Sequence, residues 1–164
     1  MYEYRPPRKN VIARLLALGL FLLSVAFFIL SAQLSKLATL FQSLGLILLL
    51  PTVQILTRYL VLSHLYRLVP YESGEVDLEV YTYRGGDKMQ LVARVGLEEI
   101  TAVTPLTAAN ARAKRGMRRY NYAPDIRPQD AVVLSITNGD GDCEMLLCPD
   151  KRIRDILQSA VNKK

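Results

Sequence analysis

The 164-residue chain has no tryptophan, one histidine and two cysteines, and before residue 70 it carries a single carboxylate, Glu3. Each shortage excludes something. With His64 the only histidine and no second cysteine pair, the four N and S ligands of a structural zinc site cannot be assembled. Cys143 and Cys148 stand five residues apart in what should be one strand, so their side chains point to opposite faces and do not bridge. Unbridged thiols suit a reducing compartment. There is no nucleophile elbow, no glycine-rich phosphate loop and no pair of carboxylates in a helical frame. No catalytic residue, cofactor or metal is therefore expected, and the chain is read as non-enzymatic. Asn138-Gly139-Asp140-Gly141-Asp142 has the composition of a calcium loop. An EF-hand, however, needs Gly at its sixth place and Glu at its twelfth, where this chain has Cys143 and Pro149.

What the first third has in excess is apolar length. Leu15 to Ser35 and Leu37 to Thr57 are two uncharged, mostly aliphatic runs of 21 residues each, separated only by Lys36. At about 1.5 Å per residue each run reaches roughly 32 Å as a helix, the thickness of a bilayer's hydrocarbon layer. The expected arrangement is a transmembrane hairpin over residues 11–66, with spans at about 13–34 and 37–59, preceded by a basic N-terminus over residues 1–10. The first run is too long for the h-region of a signal peptide and a second span follows at once, so cleavage is not expected. Arg5, Arg8, Lys9 and Arg14 flank the first span, and the connection offers one lysine. The positive-inside rule then places the N-terminus in the cytoplasm, and two crossings return the chain there. Arg58 and Arg67 agree. Tyr59, Tyr66 and Tyr71 fall where an interfacial aromatic belt is expected, with His64 as a polar neighbour. Gln42, Thr52 and Gln54 beside Pro51 are expected to hydrogen-bond across to the first helix. Neither span contains Asp, Glu or His, which removes the usual relay of a pore or carrier.

Past the membrane exit the period changes. Val76, Leu78 and Val80 alternate with Asp77, Glu79 and Tyr81, so the carboxylates from Glu72 to Glu79 form the wet face of a strand. Arg84-Gly85-Gly86-Asp87 is a hairpin turn, after which Met89, Leu91, Ala93 and Val95 should share the apolar face of a second strand. A third strand is expected at Glu99 to Thr104, ended by Pro105. Ala131 to Thr137 and Cys143 to Cys148 repeat the pattern around the 138–142 turn. Asp150 then N-caps a helix whose Ile153, Ile156, Leu157, Ala160 and Val161 form one apolar face. The expected fold class is α+β: an N-terminal two-helix transmembrane hairpin, then a small antiparallel β-roll with a C-terminal α-helix.

Two N-terminal apolar helices, Leu97-Glu98-Glu99-Ile100-Thr101-Ala102-Val103, and Met145-Leu146-Leu147-Cys148-Pro149-Asp150 leading into Ile153, Ile156 and Leu157 together resemble the bacterial pleckstrin-homology-like (PH-like) membrane proteins. The resemblance spans most of the chain. It implies a PH-like barrel or open roll over residues 67–164, with a binding or assembly role and no catalytic residue. The departure is the segment 107–128, longer than the family's usual link between strands.

That segment is also the most basic. Arg112, Lys114, Arg115, Arg118 and Arg119 fall within eight residues, followed by Tyr120 and Tyr122, and no carboxylate occurs from Ile100 to Pro124. Cations so placed attract phosphate or an anionic leaflet, at about 1 kcal/mol each near such a surface; a solvated basic loop that merely obeys the cytoplasmic charge bias is the alternative. Nucleic acid is not expected, since no fold for groove or single-strand binding accompanies the cluster. Two roles follow. One is a cell-membrane-anchored module whose cytoplasmic domain contacts anionic phospholipid or a protein partner. The other is a structural subunit or assembly factor whose hairpin packs on partner helices through Gly19, Ser24 and Gly45.

Overall fold

The structure, a computed structural model, describes residues 1–8, 10–71, 75–85, 88–139 and 141–163. Lys9, Glu72, Gly86, Asp87 and Asp140, named above, lie outside the described residues. The chain divides into two compact units: Lys9–Leu62, and Met1–Arg8 together with Ser63–Lys164.

The first unit is a helix pair. Helix α1 runs Val11–Gln33, a short 3₁₀ turn Ser35–Leu37 reverses the chain, and α2 runs Ala38–Ile55 before a wide turn, Leu56–Val61, in which the Leu62 N–H reaches the Thr57 carbonyl at 3.0 Å. Both helices are long and apolar enough to cross a membrane. The residues α1 buries are small ones, Ala13, Ala17, Ser24 and Ser31, and α2 buries Gly45 and Thr52. Their recurrence at steps of four and seven residues brings the two backbones close along one seam. Ser24 Oγ donates to the Gly45 carbonyl at 2.8 Å, and Phe27 stacks on Phe41 with centroids 6.0 Å apart. Thr52 does not reach across: its hydroxyl donates to the Leu48 carbonyl of its own helix at 2.8 Å. The large side chains point outward, with Leu15 64% and Leu50 72% exposed. A buried helix of a soluble core would hide such residues.

The second unit contains two four-stranded sheets and a helix. Strands β1 (Tyr2–Tyr4), β2 (Ser63–Pro70), β3 (Val76–Tyr83) and β4 (Met89–Gly96) form an antiparallel sheet in that order. Strands β5 (Ile100–Pro105), β6 (Arg118–Asn121), β7 (Val132–Asn138) and β8 (Gly141–Leu147) form the other, in the order β5-β7-β8-β6. Helix α3, Lys151–Asn162, follows, capped by an Asp150 carboxylate that accepts the Ile153 N–H at 2.9 Å. One core joins all three layers. Tyr66, Leu68, Leu78, Val80 and Val95 come from the first sheet, Ile100, Leu134, Ile136, Met145 and Leu147 from the second, and Ile153 and Leu157 from α3.

The structure departs from several of these expectations. The sheet unit takes in residues 1–8 and begins again at Ser63, so residues 63–66, assigned above to the hairpin, are strand. Tyr66 is accordingly a core residue, fully buried, and no belt anchor. The second sheet is not wholly antiparallel, because β6 pairs with β8 in parallel. Glu79 is not wet: it is buried in a row of alternating charge, Glu3, Arg67, Glu79 and Arg94, that crosses four strands in register. Within that row Arg67 meets Glu3 at 2.5 Å and Arg94 meets Glu79 at 3.2 Å. Finally, the ladder between β3 and β4 slips by one residue. Val80 faces Ala93 but Tyr81 faces Leu91, so Val92 is extra, and Met89 and Leu91 leave the face that holds Ala93 and Val95. A bulge inverts every side chain beyond it.

Candidate functional site

The basic segment is folded, and its order comes from two residues. After Pro105, Asn110 closes a turn: its side-chain oxygen accepts the Thr107 N–H at 2.6 Å, and its amide donates to the Pro105 carbonyl at 2.9 Å. Arg119 then collects the loop. Its guanidinium donates to the carbonyls of Asn110, Ala111 and Arg112 at 2.8, 3.1 and 3.0 Å, and through Nε and Nη2 to one Glu144 oxygen at 2.9 and 2.7 Å. Glu144 lies directly across the parallel β6–β8 ladder from Arg119. The pair is sequestered, with the Glu144 side chain 2% exposed. Beside it a small apolar cluster, Ala123, Ala131, Val133, Leu146 and Cys148, with Leu106 packed on it, holds the segment's ends to the sheet.

The seven residues singled out in the sequence therefore separate. Arg112, Lys114, Arg115, Arg118 and Tyr120 are exposed. Arg119 is committed to the interior and is removed from the contact set. So is Tyr122: it is half-buried, its ring stands edge-on to His64 at 5.8 Å, its carbonyl accepts the Tyr66 hydroxyl at 2.8 Å, and burial raises its phenol above the ordinary value. Gly116, with φ of 84°, makes the bend between Arg115 and Arg118. The result is four cations held on a turn that has its own internal anchor.

Other candidates are accounted for by structure. Asp142 accepts the Thr137 hydroxyl at 2.7 Å across the β7–β8 ladder. Cys143 faces the main core and Cys148 the smaller cluster, both unbridged. Burial pushes the Cys148 thiol up to about 12, and Asp125 and Asp130 act in the same sense. Among the described residues, no three His, Cys, Asp or Glu side chains are grouped to hold a metal ion. Ser24 and Gly45 are occupied with each other, and a methyl at Gly45 would meet the Phe28 ring at 3.0–3.3 Å; of the three small residues considered for partner packing only Gly19 has open space.

Of the topology determinants, Arg5 lies over the Tyr83 ring at 5.5 Å, and Arg8 donates to the Ser63 hydroxyl. Both are residues of the sheet unit. Arg14 is exposed in the first turn of α1.

Comparison with family models, with curated proteins and with solved structures finds no match in any of the three. The two apolar helices and the sheet domain agree with the PH-like resemblance at that level.

Proposed function

We propose that this chain is a non-enzymatic, membrane-anchored module: α1 and α2 cross the cell membrane, the N-terminus and the sheet unit are cytoplasmic, and the sheet unit is a PH-like domain that contacts anionic phospholipid through Arg112, Lys114, Arg115 and Arg118. The observation that carries it is the Arg119–Glu144 lock, which orders a turn whose remaining cations all face outward. A loop that served only as solvated charge would need no buried ion pair to shape it, and such a pair is costly to desolvate. Four exposed cations near an anionic leaflet are together worth on the order of 4 kcal/mol before screening. The apolar surface left outward on both helices supports the membrane assignment, and the basic N-terminal flank supports the orientation.

The test uses the full chain in nanodiscs of phosphatidylcholine, alone or with anionic phosphatidylglycerol, read by amide hydrogen exchange over residues 107–122. Protection that rises with anionic lipid and disappears when Arg112, Lys114, Arg115 and Arg118 are changed to Gln supports the reading. Equal exchange in both lipids removes the lipid and leaves a protein partner as the ligand to seek.

A further inference from the structure

We infer that the edge of β4 beside the β3–β4 turn is a second, apolar bilayer contact, in which Met89, Leu91 and Val92 enter the interfacial layer of the membrane that holds α1 and α2. The inference rests on the membrane assignment made above and is independent of the basic turn.

Among the described residues of the sheet unit, six large hydrophobic side chains are exposed: Met1, Tyr71 and Tyr120 singly, and Met89, Leu91 and Val92 side by side. Isolated exposed apolar residues are ordinary, whereas an adjoining group offers a continuous apolar surface, small here, whose meaning is set by where it lies. The group exists because of the bulge. Had β4 kept its register from Val95, Met89 and Leu91 would continue the core face of Ala93; the extra residue at Val92 turns them to the opposite side.

Chain connectivity identifies what they meet. Ser63 pairs with Tyr83, and Tyr83 with Met89. Two strand spacings put Met89 within about 10 Å of Ser63. Ser63 is two residues beyond Val61, the last residue of the second apolar segment, and the Arg8 side chain, on the other link to the helices, is hydrogen-bonded to Ser63. The patch therefore flanks the place where both links leave the sheet unit. Arg84 and Lys88 are exposed beside it, and the sequence from 84 to 88 has a net charge of +1. Apolar side chains rimmed by cations at the chain's exit from hydrocarbon match the headgroup boundary. A second copy pairing along β4 fits less well, because the bulge interrupts the ladder such pairing needs.

The absence of tryptophan makes the experiment direct. The full-length Leu91→Trp variant is reconstituted in neutral phosphatidylcholine discs with plain or brominated acyl chains. Leu23→Trp reports on α1, and Tyr71→Trp, just past the end of β2 that lies away from Ser63, reports on the sheet unit outside the interfacial belt in which the sequence alone places Tyr71. Roughly twofold quenching for Leu91→Trp, with none for Tyr71→Trp, is expected for a side chain at interfacial depth. Val92→Trp repeats the measurement should the first variant not fold. Quenching of Leu23→Trp without quenching at 91 or 92 overturns this inference alone, and so does blue-shifted but unquenched emission at 91, which signals a protein partner. Absence of quenching at Leu23→Trp overturns the membrane assignment itself.

Discussion

Arg119 is the residue on which the basic turn depends. Its guanidinium links three loop carbonyls to Glu144, so truncation removes the loop's anchor and strands a carboxylate in the interior. Arg119→Ala and Glu144→Ala should each lose about 3–5 kcal/mol, whereas replacing both by apolar residues of similar volume should recover most of it. Thermal unfolding of the detergent-solubilised chain reads this; single variants that melt like the parent would show that the pair does not hold the turn. Nothing in the sequence separates Arg119 from Arg118 next to it. Their difference is which face of β6 each occupies, and β6 has no apolar alternation by which a strand could have been foreseen.

Cys148 gives a prediction of pH dependence. Its thiol is pushed up to about 12 by burial and the Tyr66 hydroxyl is raised for the same reason. In the unfolded chain these groups ionise near 8.5 and 10. Above those values the unfolded state releases protons that the folded state keeps, so stability is full below about pH 8.5 and falls as pH rises toward 12. Melting temperature followed from pH 7 to 11 should decline, more gently for Cys148→Ala. A flat profile would contradict the burial of these two groups.

At the scale of elements, the legible parts were those with local rules. Five strands, β3, β4, β5, β7 and β8, show alternation bounded by glycine or proline, and α3 shows its cap and its 3–4 spacing, so each appears close to where the residues place it. The strands without a local signature are defined by partners far along the chain. Tyr2–Tyr4 is too short to show a period and is a strand only because it faces residues 66–68; β2 continues an apolar stretch that reads as the end of a span; the Val92 bulge leaves no mark in composition. β1 is also stitched to α3, since the Tyr2 hydroxyl donates to Asp150 and Arg152 lies over the Tyr2 ring at 4.6 Å. Asp150→Ala therefore loses both the helix cap, about 0.5–2 kcal/mol, and the acceptor for Tyr2. Deleting residues 1–8 should destabilise the sheet unit at least as much, seen as faster proteolysis of residues 63–163. Unchanged proteolysis would make β1 an ornament of the edge.

For the whole molecule, pairing of residues 2–4 with residues 66–68 carries topological information independent of charge. Both must lie on one side of any membrane, so the segment between them crosses an even number of times. For the orientation proposed above, with the basic flank inside, trypsin added to intact cells should spare the sheet unit, while inverted vesicles should expose Arg112, Lys114 and Arg115 to cleavage, and carbonate should leave the protein in the pellet. Cleavage from outside would reverse the orientation; release by carbonate would end the membrane reading. The proposed anionic-lipid contact should also weaken steeply between low salt and 0.5 M salt, because exposed charges are screened over a Debye length of about 10 Å at 0.1 M.

The strand pairing also imposes an order on biogenesis. Strand β1 leaves the ribosome well before its partner β2 and must wait while the whole helix pair is made, several seconds at about 5–20 residues per second. In the proposed membrane anchoring the helices are thus available to the insertion machinery before the sheet unit can close, and a tag fused at Met1 would sit beside the start of α3.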